Sequence, residues 1–106
     1  MQLRQHYRYN ITEKLRKISA QYQVSMERII RIEQKEEIDQ LKYEELLQIY
    51  LALSETYETI NKLLEEEWKK NPFDLYLILQ VYEQITGRIL QVQRWIREMI
   101  NELCHN

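Results

Sequence analysis

Glycine and proline are nearly absent from this chain, and their scarcity limits what it can fold into. The 106 residues include one glycine, Gly87, and one proline, Pro72. Turns depend on such residues, whereas the abundant Leu, Ile, Glu, Gln, Lys and Arg favour helix. The sequence therefore predicts an all-α protein with the size of one domain, or of one small domain with an appendage.

Charge is distributed unevenly along the sequence. Hydrophobic residues make up 44% and charged residues 30%, which provides enough apolar surface for a core and argues against disorder. The net charge of −2 by itself argues against a nucleic-acid-binding protein. Residues 1–24, however, carry five basic residues against one acidic residue, whereas residues 41–106 carry seven basic against eleven acidic residues. The N-terminal basic residues are Arg4, Arg8, Lys14, Arg16 and Lys17.

The cysteine content and the hydropathy predict a cytoplasmic protein with no membrane partner. The single cysteine, Cys104, has no partner in the chain for a disulfide. The first ten residues lack the apolar segment of a signal peptide. The longest uncharged apolar run, at 75–79, is far shorter than the roughly 20 residues of a membrane span.

Apolar periodicity and candidate caps divide the chain into six predicted helices. Asn10 is a candidate end for the first of them, and Thr12 and Ser25 are candidate N-caps for the next two. A charged loop is predicted at 35–40, and Asn71-Pro72 is expected to separate the last two helices. The predicted helices cover residues 2–9, 12–22, 25–34, 42–54, 55–70 and 73–104.

The last predicted helix carries a heptad seam. Its apolar residues alternate at spacings of three and four, which is typical of a coiled coil. Gly87 lies off this seam, where it could bend the helix or allow close approach of another. We expect the seam to pair two chains, with a weak preference for antiparallel pairing; the alternative is an intramolecular bundle. The seam residues are Leu75, Ile78, Tyr82, Ile85, Ile89, Val92, Ile96, Met99 and Leu103.

Residues 15–32 fit the pattern of a helix–turn–helix. With the first helix counted from Leu15, the pattern requires apolar residues at four core positions, a small residue where the helices cross, and a cap on the second helix. The residues at these positions are Ile18, Ser19, Val24, Ser25, Ile29 and Ile32.

The segment "VSMERIIRIEQKEEIDQLKYEELLQIYLAL" resembles the Cro/cI-type (XRE-type) repressor family, over roughly residues 3–54. The likeness rests on Arg31-Ile32-Glu33, followed by Leu41, Leu46-Leu47, Ile49 and Ala52-Leu53. It implies a lambda-repressor-like helix–turn–helix domain at 1–54 and a helical dimerisation region at 55–106. Two departures are Gln23 at the turn position that is usually glycine, and Ile30 where a small polar residue is usual.

The resemblance also implies a function: a sequence-specific DNA-binding transcriptional regulator, a repressor of bacterial, phage or plasmid type, acting as a dimer on double-stranded DNA. Helix 25–34 would enter the major groove while helix 12–22 braces it, and no cofactor is implied. The residues expected to contact DNA are Thr12, Lys14, Lys17, Ser25, Met26, Glu27, Arg28 and Arg31.

A protein-binding function is the alternative. The acidic Glu27 and the outward Ile30 would suit a degenerate helix–turn–helix that contacts another protein, as in an antirepressor or a phage-encoded inhibitor. An enzyme is not expected, because His6 and His105 lie at opposite ends of the chain with no metal-ligand spacing and no glycine-rich loop is present. Salt-dependent DNA binding distinguishes the two functions.

Overall fold

Three long helices make up the described part of the protein. The computed structural model describes residues 2–34 and 40–105, with side chains for residues 10–34 and 42–104. The helices are α1 (Gln2–Glu33), α2 (Gln40–Glu67) and α3 (Pro72–His105). They run alternately up and down in a bundle with extents of 60 × 19 × 16 Å. The all-α prediction is confirmed.

A heptad seam on each helix builds the core. Residues at alternating spacings of three and four point inward, as in coiled coils and helical bundles. On α1 these buried residues are Ile11, Leu15, Ile18, Tyr22, Ser25, Ile29 and Ile32. On α2 they are Leu46, Ile49, Leu53, Thr56, Ile60, Leu63 and Glu67. On α3 they include Asp74, Ile78, Ile85, Ile89 and Ile96. The apolar members form a single cluster.

Asn71 and Pro72 separate α2 from α3, as the sequence predicts. Proline suits the first position of a helix, where its missing N–H costs no hydrogen bond. The Oδ1 of Asn71 accepts a hydrogen bond from the backbone N–H of Phe73 at 2.9 Å, which satisfies one of the free donors of the first turn. α3 spans residues 73–104, for which the sequence predicts a single helix.

The predicted helix boundaries within α1 and α2 are wrong. α1 continues through Asn10, the predicted end of the first helix, and through residues 23–25, where the turn of the helix–turn–helix is predicted. Ser25 is 3% exposed and occupies a position of the heptad seam, so it serves as a small core residue instead of an N-cap. α2 likewise continues through residues 54 and 55. Most of the predicted charged loop, residues 35–39, lies outside the described residues.

The seam of α3 packs within the chain. Ile78, Ile85, Ile89 and Ile96 are at most 5% exposed in the single chain. Leu75 is half-buried, and so are Tyr82, Val92, Met99 and Leu103, which pack against the core cluster. The seam was expected to pair two chains, but α1 and α2 of the same chain already cover it. This outcome is the intramolecular bundle that the sequence left as the alternative.

The core also joins the two predicted domains. The predicted boundary between residues 54 and 55 falls inside α2. A buried polar contact links the helices close to this point, since the Nε2 of Gln93 donates to the Oγ of Ser54 at 2.7 Å and to the carbonyl of Tyr50 at 3.1 Å. A polar residue at a buried position restricts how two helices can align, because a shift would leave it unpaired.

Candidate interaction surfaces

The predicted recognition stretch, residues 25–34, forms the last part of α1. Ile29 and Ile32 are buried, as the helix–turn–helix pattern predicts, and Ser25 is buried with them. Met26 is half-buried and packs against the core cluster, whereas Glu27 and Arg31 are exposed. This stretch therefore holds the bundle together through one face and presents the other to solvent.

Arg28 is tied to the neighbouring helix. Its Nη2 donates a hydrogen bond to the Oε1 of Gln48 on α2 at 3.1 Å, and its side chain is half-buried. The sequence predicts an outward cation that contacts DNA directly. In the structure Arg28 lies beside the groove between α1 and α2. It could contact DNA only after its hydrogen bond to Gln48 is broken.

Lysines from two helices meet in the α1–α2 groove. Lys14 and Lys17 of α1 and Lys62 of α2 line an open cleft of about 360 Å³, together with Glu66. Three positive charges against one negative charge make this part of the groove basic. Thr12, another predicted DNA contact, is exposed but lies two residues before Lys14, a rotation of about 200° around the helix.

Lys62 is absent from the residues that the sequence singles out, because its position depends on how α1 and α2 pack. Farther along the groove, Gln21, Val24 and Arg28 face Ala52 and Glu55. The α1 positions that line the groove repeat at spacings of three and four, the helical period of one face. A search for a second periodic stripe beside the core seam would have found these α1 residues.

An exposed ion pair lies on α1 outside the groove. The Nη2 of Arg16 donates to the Oε1 of Glu13 at 2.6 Å. The pKa of Glu13 lies below its ordinary value of 4.5, mainly because its carboxylate accepts this hydrogen bond from Arg16. Pairs of this kind on a helix surface contribute little to stability.

An aromatic cluster is exposed where α2 leads into α3. Trp68, Phe73 and Tyr76 are 56%, 64% and 61% exposed, and Leu77 beside them is 36% exposed. Tyr76 and Leu77 follow Phe73 at helical spacings of three and four, so the three side chains lie on one face of α3. Trp68 lies five residues before Phe73, directly after α2, and we call these four residues the aromatic cluster. Trp68 is expected from its spacing to share the inner face of helix 55–70 with Ile60 and Leu64, and its exposure shows that this expectation is wrong. Phe73, Tyr76 and Leu77 lie off the apolar seam of α3, so the spacing of the seam does not identify them.

Two carboxylates are buried at the same end of the bundle. Asp74 is fully buried and Glu67 is 3% exposed. Among the side chains that the structure describes, none forms a hydrogen bond with either oxygen of Asp74 or with the Oε2 of Glu67. The Oε1 of Glu67 lies 3.7 Å from the Nζ of Lys70. Across residues 2–34 and 40–105, no group of three His, Cys, Asp or Glu residues is placed to hold a metal ion.

Comparisons with known proteins return no relative: no family model matches the chain, and no curated protein or solved structure is significantly similar to it. Membership of the Cro/cI-type family therefore stays a prediction. Within the described part of the chain, no helix is long and apolar enough to cross a membrane.

Proposed function

We propose that this protein is a small helical module that binds another protein, and that the aromatic cluster is its contact surface. The exposure of Trp68, Phe73 and Tyr76 carries this proposal. Trp and Tyr are enriched among the residues that dominate binding energy at protein interfaces. Grouped apolar side chains of this size on a soluble surface mark interaction sites, whereas single exposed ones need no explanation.

The geometry of the cluster supports a role as a rigid anchor. Phe73 and Tyr76 stand on the first turns of α3, where Asn71 caps the helix. The hydroxyl of Tyr76 accepts a hydrogen bond from the Nε2 of Gln80 at 3.1 Å, and the Nζ of Lys69 lies 5.0 Å from the Trp68 ring centroid. Side chains that are already oriented lose less entropy when a partner binds.

A double variant, Phe73→Ser with Tyr76→Ser, tests the proposal. Extracts of the producing cell are passed over the immobilised wild-type protein, and a retained protein is purified so that its dissociation constant can be measured. Each anchor is worth about 2 kcal/mol, or roughly 30-fold in the dissociation constant, so the double variant should lose the partner.

The matched control is Gln84→Ser with Gln91→Ser, which replaces two exposed residues of α3 outside the cluster. This control should bind as the wild type does. Retention of the same proteins with equal affinity by both variants would contradict the proposal.

DNA binding by a dimeric regulator, as the family resemblance implies, is the second candidate function. It is favoured by the three lysines that line the α1–α2 groove, two of which the sequence singles out for DNA. If residues 25–34 entered the major groove, the exposed Glu27 and Arg31 would face the DNA. Ser25, Ile29 and Ile32 would stay in the core. A backbone-tracking contact through the lysines fits these positions better, since lysine binds phosphate as a point charge.

Fluorescence anisotropy with a pool of labelled duplexes tests this candidate across a salt series. Each phosphate contact contributes about 0.9 to the slope of log affinity against log salt. Lys62→Gln should therefore reduce the slope by about one, whereas Arg88→Gln on α3 should leave it unchanged. A folded protein that shows no salt-sensitive binding to any duplex would exclude this function.

A further inference from the structure

α3 carries a second stripe of heptad spacing on its outer face. Residues 76, 80, 83, 87, 90, 94, 97 and 101 repeat at alternating spacings of four and three, and all eight are exposed. At its centre lie Glu83, Gly87, Leu90 and Arg94. The core seam is occupied by α1 and α2, whereas this outer stripe is open to another molecule.

The packing of the described residues does not require a glycine at position 87. Among the described residues no glycine has positive φ, and a Cβ built at Gly87 would meet nothing within 4 Å. Glycine lowers the stability of a helix interior relative to alanine, and no close contact around Gly87 requires a residue without a Cβ. Leu90, one turn further along, is 53% exposed. The open space above Gly87 and the exposed side chain of Leu90 thus lie next to each other on the stripe.

We propose that a second copy of this chain packs antiparallel against the outer stripe of α3. The midpoint of α3 (Pro72–His105) lies between residues 88 and 89. A two-fold axis at this midpoint aligns the two helices over their whole length. It places Gly87 opposite Leu90, Glu83 opposite Arg94 and Gln80 opposite Arg97, each pair occurring twice.

The first pair is complementary in size and the second in charge, whereas Arg97 already donates a hydrogen bond to the hydroxyl of Tyr50 on α2 at 3.0 Å. Leu90 of each chain fills the space over the partner's Gly87, and each Glu83 meets an Arg94. A parallel pair in register would instead place Glu83 against Glu83 and Arg94 against Arg94, which is repulsive. Arg94 already lies 3.5 Å from Glu98 in its own chain, but both side chains are largely exposed, so that pair costs little to rearrange.

This inference goes beyond the proposed function and does not depend on it. Tyr76 belongs to both surfaces, but Glu83 and Arg94, which test the pairing, lie outside the aromatic cluster. Loss of a foreign partner and loss of self-association can therefore be produced by different variants.

Sedimentation with a charge swap tests the pairing. We expect the wild type to be a dimer at high micromolar concentration. Arg94→Glu and Glu83→Arg should each raise the dissociation constant at least tenfold, and the combined variant should return it to near the wild-type value. Arg88→Glu makes the same charge change as Arg94→Glu at an exposed residue outside the stripe, and it should have little effect. A monomer at all concentrations, equal effects of Arg94→Glu and Arg88→Glu, or no rescue in the combined variant would overturn the proposal.

The polarity is measured with a spin label on Cys104, the chain's natural and exposed cysteine. In the antiparallel pair each Cys104 lies level with the partner's Phe73, 31 residues along the helix from its Cys104. At about 1.5 Å per residue, the two labels are roughly 46 Å apart. A parallel pair, whose axes are about 10 Å apart, would give a distance below roughly 20 Å and would overturn the proposal.

Discussion

Replacement of Gln23 by glycine or by alanine distinguishes a continuous α1 from a helix–turn–helix. The alanine variant is the more stable one in a continuous helix, whereas the glycine variant is the more stable one at a turn. Gln23 is exposed within α1, so its replacement removes no core side chain. In a helix interior, glycine is about 1 kcal/mol less favourable than alanine. At a turn that requires positive φ, alanine is the strained residue and glycine is preferred.

The expected difference is large enough to measure. The entropy of unfolding is about 2.1 cal/mol/K per residue, or roughly 220 cal/mol/K for 106 residues. A difference of about 1 kcal/mol therefore lowers the melting temperature of Gln23→Gly by roughly 4–5 °C relative to Gln23→Ala. Thermal and urea unfolding, followed by circular dichroism, report this difference.

Gln84 on α3 provides the control. Gln84 is exposed in the middle of a helix and borders the same α1–α3 groove as Gln23. Glycine and alanine at Gln84 should differ by the same amount and in the same direction as at Gln23. Greater stability of Gln23→Gly than of Gln23→Ala would refute the continuous helix.

Three further predictions follow from the packing, the caps and the titration of the bundle. Ile60 is fully buried, and Ile60→Ala should reduce the free energy of unfolding by about 2–5 kcal/mol in urea; a loss below about 1 kcal/mol would mean that it is not a core residue. Asn71→Ala removes the hydrogen bond to the N–H of Phe73 and should cost about 1 kcal/mol, whereas Asn71→Ser should restore most of it. The pKa of Tyr82 is raised above 10.0, first by hydrogen bonding to Tyr57 and then by burial, so its neutral form stabilises the fold. This contribution is complete below about pH 10 and is lost as the pH rises through the folded-state pKa; Tyr82→Phe should weaken the alkaline loss of stability, and an unchanged alkaline profile would contradict the assignment.

The sequence predicts helical content and inward faces better than helix ends. Ile18, Ile29 and Ile32 are correctly expected to face inward, because apolar spacing depends only on the local helical period. Ser25 is misassigned because serine suits both an N-cap and a small core position. The seam from Tyr22 through Ser25 to Ile29 keeps its spacing of three and four, which favours an uninterrupted helix.

The surfaces are harder to predict because they depend on which helices become neighbours. Lys14 and Lys17 are identifiable from the basic N-terminal region, but their proximity to Lys62 follows from the alignment of α1 with α2. The seam of α3 is recognised correctly as apolar, yet spacing alone does not specify whether another chain or the same chain covers it. The scarcity of turn residues predicts an all-α fold, yet apolar periodicity and candidate caps predict six helices where the described residues form three.

The most direct test of the continuous bundle is the ¹³Cα secondary chemical shift of each residue from 10 to 33. This measurement reports backbone conformation at single positions and needs no substitution. A continuous α1 requires helical values without interruption, including Gln23, Val24 and Ser25. Values near zero or of the opposite sign at these three residues, between helical values on either side, would contradict the bundle and favour the helix–turn–helix.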